Sequence, residues 1–269
     1  MPGWRRSGKG GRVIGTRAER AERLTGYFEA QLRLARRMAE LTGAPLGETA
    51  FNYTNLSRRF AMGLAGIVAP SEPWLAYAAR LEAIGDLAEQ VALTKQTWLG
   101  RPDEVWPLAG QASFGCFAHE PPKDDGSVKI HFYNRDTDEA GGPLASVKAE
   151  RRRAELAAMT AHIREVHPEA TRIVGRSWLY HLEAYRRLFP PDYVASRAPY
   201  AGRPHLTGTS HWGQLIDSRE AIRPDVRDAF AANLATLDPD KPWLAFPFKA
   251  LTVTAPVAVF ERFYGLSQD

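Results

Sequence analysis

Four titratable side chains carry the chemistry this sequence could do: His131, Asp136, Tyr180 and His181. General acid–base catalysis needs such groups gathered in a cleft that tunes their pKa values. Two short segments hold them, and each reads as a strand that runs into a loop. In open α/β sheets, ligands gather beyond the carboxyl ends of strands. The first strand end carries Asn134, Arg135, Asp136, Asp138, Gly141 and Gly142. The two glycines allow close backbone approach to a ligand, and amides at the following helix start could bind an anion. Asp136, Asp138 and Glu139 would oppose a phosphate there, or would simply complement the helix dipole. The second strand end carries Gly175, Arg176, Ser177, Trp178, Tyr180, His181 and Glu183. Arg135 and Arg176 are the expected holders of an anionic part of a substrate. The plainer alternative stays open: His131 as a hydrogen-bonded sheet histidine, with Trp178 and Tyr180 as core.

Other constellations point to less. His181 and Glu183, with His205 or His211 downstream, echo a two-histidine, one-carboxylate metal set. Residues two apart on a helix point about 200° apart, so no metal is expected there. Ser177 is not a nucleophile elbow, because Gly175-Arg-Ser-Trp-Leu lacks the second glycine of G-x-S-x-G. Cys116, between Phe114 and Phe117, reads as strand packing. GTSHWGQLID, with His211 and Trp212, is a loop that could lid the cleft, or could pack on the sheet.

The elements that must position these residues follow from periodicity. Leu24, Phe28, Leu32, Ala35, Met38 and Leu41 make an apolar helical stripe, capped by Thr16 and stopped by Gly43. A second helix follows Ser71-Glu72-Pro73, and a shorter one is expected over 58–68. Near Trp106 the character changes. QASFGCFAH reads as a strand, EPPKDDGS as a turn and VKIHFY as a strict alternation, with Val128, Ile130 and Phe132 on one face. A helix follows with Leu156, Met159, Ile163 and Val166 inward and Arg151 to Arg153 outward. TRIVG is a strand, and SWLYHLEAYRRLF a helix stopped by Pro190-Pro191. A last helix at 225–237, the strand KALTVT and a terminal helix capped by Thr254 complete the chain. A long helical crossover makes its two strands parallel. The expected fold is therefore α/β (α+β): a mixed sheet with an antiparallel hairpin and a strand–helix–strand crossover, preceded by a helical N-terminal region. The expected division is a basic arm at 1–15, a helical region at 16–105 and a mixed α/β domain at 106–269.

Composition narrows the classes. Of 269 residues, 44% are hydrophobic and 25% charged, as in a globular protein. The net charge is +4, but residues 1–40 hold nine Arg and one Lys against four Glu, so the rest is about −2. The basicity belongs to the N-terminal arm, which could touch phosphates or serve as a solubilising terminus. With no helix-turn-helix, RNP or zinc-finger signature, a nucleic-acid partner is not expected. One cysteine excludes a disulfide framework. The N-terminus lacks an apolar signal-peptide core, and no apolar run is long enough to span a bilayer. A cytoplasmic protein acting on a small molecule is expected.

The order strand, strand, glycine-containing loop, helix, strand, then Leu182-Glu-Ala-Tyr-Arg-Arg-Leu-Phe189, resembles the GNAT N-acyltransferase superfamily over about 114–189. In place of that family's Q/R-x-x-G-x-G/A, this chain has a longer acidic run from Arg135 to Gly142. The resemblance implies an acyl-CoA held between two splayed strands, its pyrophosphate on the loop with Gly141 and Gly142, and Tyr185 as the helix tyrosine. It implies acyl transfer to an amine. A base among His131, Asp136 and His181 would take the proton, and Tyr180 or Tyr185 would protonate the leaving group. The alternatives are a nucleic-acid or acidic-partner binder using the basic arm, and a non-catalytic binding protein.

Overall fold

A computed structural model describes residues 15–63, 69–102, 111–202 and 205–266. Of the expected arm at 1–15, residues 1–14 lie outside them. The chain divides into two compact units. The described residues of Gly15–Glu104 and Pro199–Ala250 form one, and those of Val105–Ala198 and Leu251–Asp269 the other. The first boundary falls where the sequence changes character. Residues 199–250, which the sequence reading kept with the α/β region, group with the helices instead.

The helical unit opens with α1 (Arg17–Arg23), capped by Thr16 in a reciprocal bond pattern with Glu19. Leu24 joins it to α2 (Thr25–Thr42), which Gly43 ends in the left-handed conformation. Helices α3 (Leu46–Tyr53) and α4 (Leu56–Arg59) follow. Over the described part of the helix expected at 58–68, helix stops early: α4 ends at Arg59 and Ala61 takes a φ of +58°. Positions 64–68 lie outside the described residues. Then come α5 (Glu72–Glu82), capped by Ser71, and α6 (Leu87–Leu99).

The α/β unit holds the sheet. Strands β1 (Ala112–Phe114) and β2 (Phe117–His119) form a tight hairpin, so the single expected strand over 111–119 is two. Gly115 sits first in the two-residue loop at φ +60°, the place where a type II′ turn demands glycine. A Cβ there would also strike the Glu155 carboxylate. Cys116 is therefore a turn residue, although buried as expected. Strand β3 (Ser127–Phe132) returns antiparallel to β2. Helix α7 (Ala149–Val166) crosses over to β4 (Arg172–Ser177), parallel to β3.

Leu156, Met159 and Ile163 of α7 bury against Val128, Ile130 and Ile173. Each such side chain contributes about 1.5–3 kcal/mol of transfer energy. Two expectations about α7 need correction. Val166, at the frayed end, is 50% exposed. Arg152 is not outward but only 1% exposed. It stands four residues before Leu156, on the same stripe, and geometry outranks residue type there.

The expected helix over 177–189 is broken. A 3-10 turn spans Trp178–His181, Leu182 is extended, and α8 covers only Glu183–Arg186. In one continuous helix Tyr180 and Tyr185 would point about 140° apart. The break lets both bury in the same core. Helix α9 (Pro191–Ala195) and the edge strand β5 (Ala198–Pro199) follow.

Residues 199–250 add α10 (Thr209–Trp212) and α11 (Pro224–Ala235) to the helical unit. Strand β6 (Leu251–Pro256) then inserts between β4 and β5, giving the order β1-β2-β3-β4-β6-β5. Helix α12 (Val257–Phe263) ends the described chain, with Pro256 rather than Thr254 before its first turn.

The register at the centre of the sheet matters most for function. Strands β3 and β4 pair only from Ser127↔Arg172 to Lys129↔Val174. Beyond that, β3 continues against β2 to Phe132, while β4 continues against β6 to Ser177. The two parallel strands part company after Lys129 and Val174.

Candidate functional site

The two faces of the β2–β3 hairpin carry different chemistry, because side chains alternate along each strand. His119 pairs across from Ile130 and shares its inward face, beneath α7. His131 pairs across from Ala118 and lies on the other face with Lys129 and Tyr133.

On that outer face His131 meets a residue the sequence reading did not single out. Its Nε2 lies 2.6 Å from Glu120 Oε1, and Lys129 Nζ lies 3.4 Å from the same oxygen. The Tyr133 hydroxyl donates to Gln111 Oε1 (2.8 Å), and its ring is 6.2 Å from that of His131. Burial by itself would raise the Glu120 pKa. Lys129 and His131 outweigh it and hold the carboxyl below its ordinary value. An ionised carboxylate only accepts, so the proton in this bond is carried by Nε2. A carboxylate that fixes the tautomer of an imidazole is the arrangement of an oriented general base. Only the pairing of β2 with β3 brings Glu120 to His131, eleven residues away. An acid just past one strand, opposite Lys129 and diagonal to His131 on the next, was the signal available in the sequence.

Asp136 sits in a different setting. Its carboxylate pairs with Arg151 and with Arg152 (2.9 Å), and Lys148 Nζ lies at 3.6 Å. Arg152 also pairs with Glu155 (2.7 Å) and contacts the Cys116 sulfur, and Glu155 accepts the Cys116 amide (3.0 Å). Lys148, 6% exposed, donates to the carbonyls of Asp136 (2.7 Å) and Gly141 (2.9 Å) and pairs with Asp138 (2.8 Å). Three cations thus pin the loop after β3 onto the start of α7. Asp136 is a clamp on that loop, and its lone pairs are committed to cations. Asn134 accepts from Thr137 Oγ1 (2.9 Å) within the loop. The amide of Arg135 bonds the Tyr133 carbonyl (3.0 Å), and the Gly142 carbonyl accepts from Ala145 (3.1 Å).

Beyond β4, the expected residues separate into surface and core. Arg176 pairs across from Thr252 and is half-buried. Ser177 Oγ accepts from the Leu179 amide (3.1 Å), so it caps the 3-10 turn. His181 is exposed at the end of that turn. Trp178, Tyr180 and Tyr185 are buried. The Tyr180 and Tyr193 hydroxyls bond each other (2.9 Å) directly over Gly175, where a Cβ would overlap both. Tyr185 packs on Phe132 (5.4 Å) and Tyr180 (5.1 Å). Burial drives both phenols well above their ordinary pKa. A deeply buried phenol of that kind is a poor proton donor near neutrality, which corrects the acid role expected for Tyr180 and Tyr185.

His211 and Trp212 belong to the helical unit. Both are buried in the helical unit, with Trp212 packed among Tyr27, Phe230 and Phe246. Of the two readings of this loop, lid or packing on the sheet, the structure matches neither in full: Trp212 and Leu215 pack in the core of the helical unit.

A histidine cluster that the sequence reading missed lies on the α7 face. His119, His162 and His167 stand with ring centroids 5.3, 5.6 and 6.5 Å apart. As the side chains stand, no three His, Cys, Asp or Glu among the described residues form a metal-ligating group. No helix among the described residues is long and apolar enough to cross a membrane. Comparison of the chain with protein-family models, curated proteins and solved structures finds no match.

Proposed function

We propose that the α/β unit is an enzyme that transfers an acyl group from an acyl-CoA to an amine, on a GNAT-like core. The observation that carries this reading is the parting of β3 from β4 after Lys129↔Val174, with His131 two residues beyond on β3. Each strand keeps one partnered edge, β2 for β3 and β6 for β4, and turns the other toward the gap. An extended amide-bearing donor arm is the kind of ligand that hydrogen-bonds to such strand edges. The pinned loop from Arg135 to Gly142 leads into α7, and its glycines suit a closely held phosphate group. Arg135 and Arg176 are the cations proposed to hold the donor's negative charge.

In this reading His131 Nδ1 takes the one proton that a neutral amine loses as it attacks, with Glu120 holding the ring and stabilising the imidazolium. The amine nitrogen forms its bond to the thioester carbon, and the carbon–sulfur bond breaks. The thiolate leaves with the proton that His131 received. Asp136 serves as the loop clamp, and the buried tyrosines shape the wall of the gap without moving protons.

Thermal-shift assays with acetyl-CoA and longer acyl-CoAs test the donor, and the expected result is a rise in Tm with at least one of them. No shift with any acyl-CoA would overturn the reading. With a responding donor, His131→Ala is expected to keep the shift and lose transfer to an amine panel by about 10²–10⁴-fold, the usual worth of a positioned base.

A further inference from the structure

The inward face of the hairpin carries a polar atom that the fold leaves unexplained. His119 is 2% exposed, yet its Nε2 is buried without a hydrogen-bond partner. Its Nδ1 lies 2.9 Å from the Glu120 carbonyl. A carbonyl oxygen only accepts, so Nδ1 carries the hydrogen and Nε2 presents a bare lone pair. Burying such an acceptor unsatisfied costs about 1–3 kcal/mol, so it calls for an occupant. The nearest titratable neighbours are two more imidazoles, His162 on α7 and His167 at its C-terminal cap. His167 repeats the pattern: its Nδ1 lies 3.3 Å from Glu169 Oε1, which leaves Nε2 for a ligand. A backbone carbonyl or carboxylate on the far nitrogen is what orients a metal-bound imidazole.

We infer that His119, His162 and His167 form a site for one late first-row divalent metal ion of the Zn²⁺ class. With metal–nitrogen bonds near 2.0–2.1 Å, three imidazoles on one tetrahedral ion have ring centroids roughly 5–5.5 Å apart. The pairs that include His119 already stand at 5.3 and 5.6 Å. The His162–His167 pair, at 6.5 Å, must close by about an ångström. Both rings are partly exposed, and the ring torsion of histidine is broad, so rotation toward Nε2 of His119 meets little resistance. Phe114 covers His119 and His162 from one side, at 6.1 and 5.2 Å, and keeps that flank apolar. A cavity of about 290 Å³, lined by Arg164, Thr171 and Glu261, borders His167 alone of the three. Imidazole donors favour zinc, copper and nickel over magnesium and calcium.

The experiment uses the full, untagged chain freed of metal by chelation. Calorimetric titration with ZnCl₂ is expected to give one equivalent of tight binding, and Zn²⁺ to raise Tm by mass action. CoCl₂ is expected to produce the visible bands of a four-coordinate site. His162→Ala and His167→Ala, both at partly exposed positions, are each expected to weaken binding at least tenfold. His131→Ala, on the opposite face, is expected to leave it unchanged. No binding by either metal overturns the inference and assigns the orphan nitrogen to a water. Binding that survives the His162→Ala/His167→Ala double variant also overturns it.

Discussion

Two carboxylates near the end of β3 show how setting decides role. Asp136 is held among Lys148, Arg151 and Arg152, and Arg152 is almost fully buried. Glu120 is about one-third exposed and is shared by His131 and Lys129. The first is a clamp that ties a loop to a helix. The second can orient an imidazole while staying in reach of solvent. Sequence position favoured Asp136, because it follows the strand in a loop. Pairing across the hairpin favours Glu120.

The comparison breaks most sharply at Arg152. Replacing it with Met leaves Asp136 and Glu155 beside an apolar group in a partly buried place. Losing one partner of a buried pair costs about 3–5 kcal/mol, which urea unfolding would read as a lower midpoint. Lys129→Met is expected to cost under about 1 kcal/mol, since that pair is half-exposed. Equal effects would erase the distinction between clamp and shared carboxylate.

Gly175→Ala comes next. The added methyl must displace the Tyr180–Tyr193 hydroxyl pair from over β4. Overpacking of this kind costs about 1–3 kcal/mol in thermal or chemical unfolding. Wild-type stability would show that the aromatic wall beyond the parting point yields easily.

Glu120→Gln tests the other carboxylate by pH. The folded pKa of Glu120 lies below its ordinary value of 4.5. Its stabilising contribution is therefore present above about 4.5 and is lost as pH falls through the lower folded value. The variant is expected to flatten that part of the stability–pH curve while changing stability at neutral pH by under about 1 kcal/mol. In the same variant the His131 ring, without its carboxylate, is expected to titrate at lower pH by NMR. An unchanged His131 titration would detach the two groups.

The sequence by itself determined the elements whose signals are local. Most of the described helices between residues 17 and 99, the alternating strand read at 128–133, the crossover helix and the parallel strand read at 171–175 all follow from periodicity and caps. So did the mixed sheet, because a long helical crossover makes its strands parallel. Tertiary structure decided whatever depends on partners distant in the chain. It turned Arg152 inward along the Leu156 stripe, broke the 178–189 helix so that Tyr180 and Tyr185 share one core, and drew residues 199–250 into the helical unit. It also gave the two faces of the hairpin different neighbours. His131 was legible as a candidate from its strand face alone. Glu120 beside it, and the three histidines on the opposite face, were not, because side-chain alternation tells which residues share a face and only strand register tells which of them meet.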